Sequence, residues 1–124
     1  MLFPNLYHVE QLSKNDSNLV EAVVVLNPAH EIFSGHFPNN PVLPGVCMMQ
    51  IIKEITEQVV AHKLSLVQSN NIKFMALINP EVTPILRLEL EINEIDAGIK
   101  VKNTTYFNDV TALKLSSTFK IETV

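Results

Sequence analysis

The sequence predicts an α+β domain in which an antiparallel sheet curls around one central helix. Three observations carry this expectation. Apolar residues recur at three- and four-residue steps through Met48, Ile51, Ile52, Ile55 and Val59, the helical period. Later segments alternate apolar and polar residues, the strand period, and turn signals separate them. With 124 residues, 1–124 form a single domain around one core.

His8 falls on or before the first strand, and Leu19 to Leu26 (LVEAVVVL) is β-branched and mostly apolar, as in a strand covered on both faces. Asn27-Pro28 breaks it, and His30 lies in the short turn or helical stretch that follows. The helix runs from Gly45 to about His62, with Gln50, Lys53, Glu54 and Glu57 opposite the apolar stripe. Val46, Cys47 and Met49 add apolar surface near its start, so the first turns should be buried nearly all round.

Leu64 to Ile78 carries two apolar runs around Gln68-Ser69-Asn70-Asn71. In Ile85 to Ile95, Leu86, Leu88, Leu90 and Ile92 share one face and Arg87, Glu89, Glu91 and Asn93 the other. Asp96-Ala97-Gly98 is a turn, and Ile99–Phe107 and Val110–Ile121 form a hairpin about Asn108-Asp109. The last strand puts Leu113, Leu115, Phe119 and Ile121 on one side.

Composition narrows the function classes. Hydrophobic residues make up 47% and charged ones 18%, a globular balance with surface to spare for another subunit. The net charge of -4 and nine scattered Lys and Arg argue against nucleic acid. The start, MLFPNLYHVEQL, has neither a basic leader nor a long apolar stretch, which predicts a soluble, cytoplasmic protein with no membrane span. Cys47, the single cysteine, lies among apolar residues and reads as core. The four histidines, at 8, 30, 36 and 62, lack metal-site spacing, and no glycine-rich phosphate loop or dinucleotide fingerprint is present, so neither metal nor cofactor is expected.

The chemistry concentrates in SGHFPNNPVLPGVCMMQ, Ser34 to Gln50, which holds Gly35 and Gly45 of the chain's three glycines and Pro38, Pro41 and Pro44 of its seven prolines. Gly35 permits an unusual backbone before His36, and the prolines stiffen the loop and keep the helix from starting early. Pro44-Gly45 then opens a helix whose first amides lack intrahelical acceptors and carry partial positive charge. A histidine near neutrality suits abstraction of a proton next to a carbonyl, and donors at a helix start suit the enolate-like charge that develops. The same residues could equally shape a tight loop around a structural histidine.

The run GHFPNNPVLPGV resembles the active-site motif GHFPxxPxxPGV of the 3-hydroxyacyl-acyl carrier protein dehydratases of the FabZ and FabA kind, in the hotdog-fold superfamily. The match covers Gly35, His36, Phe37, Pro38, Pro41, Pro44, Gly45 and Val46 without a gap. The resemblance implies a sheet wrapped around a central helix and a homodimer, or a dimer of dimers, with two sites at the subunit interface. It implies that His36 takes the C2 proton of an acyl thioester carried on acyl carrier protein or CoA. Gly45 and Val46 would then bind the thioester carbonyl, and Phe37 and Pro44 would line the tunnel.

One position departs from the family. Its acid, a Glu or Asp from the other subunit, falls on Gln50, and an amide cannot deliver a proton at neutral pH. Loss of a positioned acid typically costs ~10²–10⁴ in rate. Glu54, where the family commonly has Gln, is one turn on and is a candidate substitute acid; a solvated or intersubunit carboxylate is the plain alternative. His36 could also act alone, with Gln50 orienting the hydroxyl. The competing functions are a hotdog acyl thioesterase and a noncatalytic acyl-binding or partner subunit.

Overall fold

The structure, a computed structural model, describes residues 3–15, 17–34, 41–96 and 98–122. His36 and Phe37, with Gly35, Pro38 and Ala97, lie outside the described residues. The strands are β1 (Tyr7–Lys14), β2 (Leu19–Leu26), β3 (Leu64–Phe74), β4 (Ile85–Ile95), β5 (Gly98–Phe107) and β6 (Val110–Ile121). The helix α1 (Gly45–Val60) lies between β2 and β3 in the chain, and a short 3-10 turn at Glu31–Phe33 precedes it. His30 caps that turn through Nδ1, which accepts from the Ile32 amide at 3.0 Å.

All six strands form one antiparallel sheet in the order β1-β2-β4-β5-β6-β3. Because β3 follows the helix yet pairs with β6, the chain crosses the sheet once over α1 and traps the helix against one face. Leu86, Leu88 and Leu90 of β4, Ile99 and Val101 of β5, and Leu113, Leu115 and Phe119 of β6 supply that buried face. Against it α1 buries Met48, Ile51, Ile52 and Ile55, the stripe expected from the helical period, with Val59 half-buried. Burying one such side chain stabilises by about 1.5–3 kcal/mol, so this stripe holds the helix in place.

Four details differ from expectation. Strand β2 buries only one face: Val20, Ala22, Val24 and Leu26 are buried, whereas Leu19 is exposed and Val23 and Val25 are half-buried, because among the described residues no layer covers the sheet's outer side. The start of α1 is not buried all round, since Val46 is 69% exposed. The helix stops at Val60, where Ala61 takes a left-handed conformation at φ 61 and returns its amide to Glu57 O. The Leu64–Ile78 region is one strand to Phe74, with its register to β6 broken between Leu66 and Gln68 and between Asn70 and Lys73.

Ile121, on the side shared with Leu113, Leu115 and Phe119, is 39% exposed at the strand's end. Cys47 is fully buried, and burial pushes its thiol pKa up, consistent with a packing role. A few polar groups also lie inside: Thr105 Oγ1 donates to Asn103 Oδ1 (3.0 Å), Asn103 donates to Glu89 O (3.2 Å), and the Ser69 and Ser117 hydroxyls meet at 2.9 Å. Among the described residues no helix is long and apolar enough to cross a membrane.

Candidate active site at the start of the helix

Pro44 fixes the entrance to α1. Its φ of -62° and ψ of 145° keep it extended, and it offers no side-chain cap to the first turn. Its carbonyl accepts from the amides of Cys47 (3.0 Å) and Met48 (3.3 Å). The segment before it is tied to the sheet side by Leu43 N donating to Ile78 O at 2.8 Å. The amides of Gly45 and Val46 therefore begin the helix at a fixed place, with the positive end of its dipole.

Gly45 meets a close neighbour there. A Cβ built on it would lie 2.7 Å from Cζ of Phe74, so only a glycine lets the ring close over the helix start. Beside this contact is an apolar pocket of about 230 Å³ lined by Pro44, Gly45, Met48, Phe74, Leu77 and Leu113, among others. Thus two residues assigned to substrate binding, Pro44 and Gly45, share one apolar cleft. Val46 faces a different pocket, of about 240 Å³, together with Met49, Gln50, Lys53 and Leu66.

The polar side of α1 is wired through Glu54. Gln50 Nε2 donates to Glu54 Oε2 at 2.9 Å, and the Tyr7 hydroxyl donates to Glu54 Oε1 at 2.7 Å. Burial, and after it the hydrogen bond and charge of Glu54 and the charge of Glu57, push the Tyr7 phenol well above its usual pKa, so it stays a donor. Glu54 and Tyr7 line a third cavity, of about 460 Å³, with Glu57 and His62. Glu57 serves the fold, because its Oε2 accepts from the Leu64 amide at 2.8 Å and ties the end of the helix to β3.

The remaining candidates separate cleanly. His8 on β1 contacts Glu10 at 3.2 Å, and His30 approaches Pro4 O at 3.0 Å through Nε2. Arg87 lies on the outward face of β4, with Glu89 at 3.5 Å and the Tyr106 ring at 4.2 Å. Among the described residues no group of three or more His, Cys, Asp or Glu is arranged to hold a metal ion. Tyr7 was not among the site residues read from the sequence. It meets Glu54 across 47 positions, and no local spacing signals such a contact.

The family model for the ApeI dehydratases, ApeI-like, matches residues 11–112. Curated relatives include 3-hydroxyacyl-[acyl-carrier-protein] dehydratase FabZ of Lactobacillus helveticus, 28% identical and aligned over 95% of this chain and 86% of that protein. The enzyme of the same name from Variovorax paradoxus is 35% identical over 75 residues, 54% of this chain and only 50% of that relative.

Among solved structures, the dehydratase heterocomplex ApeI:P from Xenorhabdus doucetiae superposes with a TM-score of 0.73 at 20% identity, over 91% of this chain and 96% of that one. A putative thioesterase from Ralstonia eutropha gives 0.66 at 12% identity, over 90% and 83%. At these identities the solved structures establish the hotdog fold, which dehydratases and thioesterases share.

Proposed function

Because the chain belongs to the ApeI-like dehydratase family, we propose that it eliminates water from 3-hydroxyacyl thioesters to form trans-2-enoyl thioesters, and catalyses the reverse hydration. The observation that carries this reading is the ungapped run from Gly35 to Val46, leading into an uncapped helix start beside an apolar cleft. His36 removes the C2 proton, and the charge that develops on the thioester oxygen is met by the amides of Gly45 and Val46. Phe37 and Pro44 line the acyl path. The C3–O bond then breaks, and the hydroxyl takes up a proton and leaves as water.

His36, protonated in the first step, is the proton source for the departing hydroxyl in this reading, with Gln50 holding that hydroxyl in line. Glu54 is the alternative source, one turn on and held beside Gln50 by a hydrogen bond in which it accepts. The thioester itself acidifies C2, so the reaction calls for no cofactor and no metal.

We further propose that the chain works as a dimer joined through β3, each site combining His36 of one protomer with Gln50 of the other. β3 is a sheet edge, and Leu66, Val67, Phe74, Met75 and Leu77 on or beside it are exposed, as is Val46. An apolar, unpaired edge strand is a hazard for a monomer and a ready interface for a pair. A second, unlike subunit that supplies a carboxylate opposite His36 is the alternative, since Gln50 cannot serve as an acid. The acyl group arrives on acyl carrier protein, the carrier in the names of the FabZ relatives, or on CoA, and the reaction is a cytoplasmic one.

One assay separates the functions: supply 3-hydroxyacyl and enoyl thioesters and follow both the enoyl absorbance and free thiol. Enoyl interconversion without thiol supports a dehydratase. Thiol release identifies a thioesterase, and neither signal with binding retained identifies a noncatalytic subunit.

A further inference from the structure

We propose that Tyr7 and Glu54 are positioning residues that lock the Gln50 amide with its oxygen toward the substrate, so that the site grips the 3-hydroxyl as a hydrogen-bond donor. The identity of the ligand rests on the dehydratase reading above. The orientation rests on geometry. Gln50 Nε2 donates to Glu54 Oε2 at 2.9 Å, so the NH2 group is the end of the amide turned toward Glu54. The planar amide then carries Oε1 on the opposite side.

The two cavities divide along the same line. Gln50 lines the pocket shared with Val46, Met49, Lys53 and Leu66, whereas Glu54 lines a different cavity with Tyr7, Glu57 and His62. Glu54 does not line the first pocket and acts on it through the Gln50 amide. Gln50 and Glu54 are one helical turn apart, a partly solvent-accessible contact too weak by itself to hold one rotamer. Tyr7 supplies the second anchor. Its ring is buried, 8% exposed, and its hydroxyl grips Glu54 Oε1 at 2.7 Å from β1, outside the helix.

The consequence is a selectivity that a carboxylic acid at this position would not share. An acid offers a proton to the leaving oxygen, whereas Gln50 Oε1 accepts a hydrogen bond from the substrate hydroxyl. A substituent at C3 that cannot donate should lose this contact. One neutral hydrogen bond corresponds to about a tenfold change in affinity.

The test uses the full chain and two pantetheine amides that cannot be hydrolysed, one bearing a 3-hydroxyacyl group and one a 3-fluoroacyl group, with affinities from calorimetry. The wild type is expected to prefer the hydroxyl by about tenfold. Tyr7→Phe, which keeps the ring, should cut that preference to about threefold or less and, in a Gln50→Ala background, change nothing further. Equal binding of the two analogues by the wild type overturns the proposal. So does an unchanged preference in Tyr7→Phe, or an equal loss for both ligands in both backgrounds, the mark of a structural role. Binding of neither analogue would overturn the dehydratase reading itself, and this inference with it.

Discussion

Gly45 and Phe74 touch so closely that a Cβ on the first would sit 2.7 Å from Cζ of the second. The ring belongs to the strand after the helix and the glycine to the helix start, and both line the apolar cleft beside it. A larger residue at 45 must push the ring away. Phe74 is 60% exposed and can move, so the cost falls on the cleft more than on the fold.

Gly45→Ala should accordingly leave stability within about 1 kcal/mol of wild type and raise KM for the acyl thioester several-fold with a smaller effect on kcat. Thermal melts and steady-state hydration measure the two halves. Combining it with Phe74→Ala, which removes the clashing ring, should remove the added stability cost. A melt as low in the double variant as the two single losses summed would contradict the contact as described.

Gln50→Glu restores the family's acid and also creates two carboxylates at hydrogen-bond distance, since Glu54 lies 2.9 Å from the present amide. Such a pair shares a proton and titrates at a raised apparent pKa. Turnover should rise, by about 10² if proton delivery limits the rate, and the gain should fade as pH increases through the pair's raised pKa, because only the protonated form donates. Stability should follow the same sign: a folded-state pKa above the unfolded value means that stability is lost as pH rises. A pH–rate profile beside melts taken from acidic to neutral pH checks both, and a variant slower than wild type at every pH would show that Gln50 does more than orient.

Glu54→Gln separates positioning from proton donation. If Glu54 only holds the Gln50 amide, kcat should fall about tenfold, the size of one misaligned hydrogen bond. A loss of ~10²–10⁴ would mark Glu54 as the acid. Unchanged turnover would remove it from the site in either role.

The edge of the sheet can be tested without touching the cleft. Val67→Glu with Ile72→Glu places charges on exposed β3 positions, so the protomer should still fold. Light scattering should show a monomer where the wild type is a dimer, and hydration should be lost because each site draws on two chains. An active monomer would overturn the shared-site arrangement.

The sequence made the fold legible where one face is buried and the other wet. β4 alternates cleanly, and Leu86, Leu88 and Leu90 are all buried; the helical stripe from Met48 to Ile55 is likewise buried. β1 (YHVEQLSK) is an edge strand with mostly exposed residues, so its composition carries little periodic signal. β2 misled for the opposite reason: its valines are apolar on both sides, although only one side meets the helix. At the site, the helix start and Gln50 were readable as local motifs. Tyr7 was not, because its contact with Glu54 exists only once the fold brings the start of β1 to the helix. His36 and Phe37 remain assignments from the motif.

The most direct measurement of the central claim compares wild type with His36→Ala in hydration of a trans-2-enoyl thioester. The account predicts hydration by the wild type with no free thiol, and a loss of at least ~10² in kcat/KM in the variant at an unchanged melting temperature. Hydration retained by His36→Ala, or thiol released by the wild type, would contradict it.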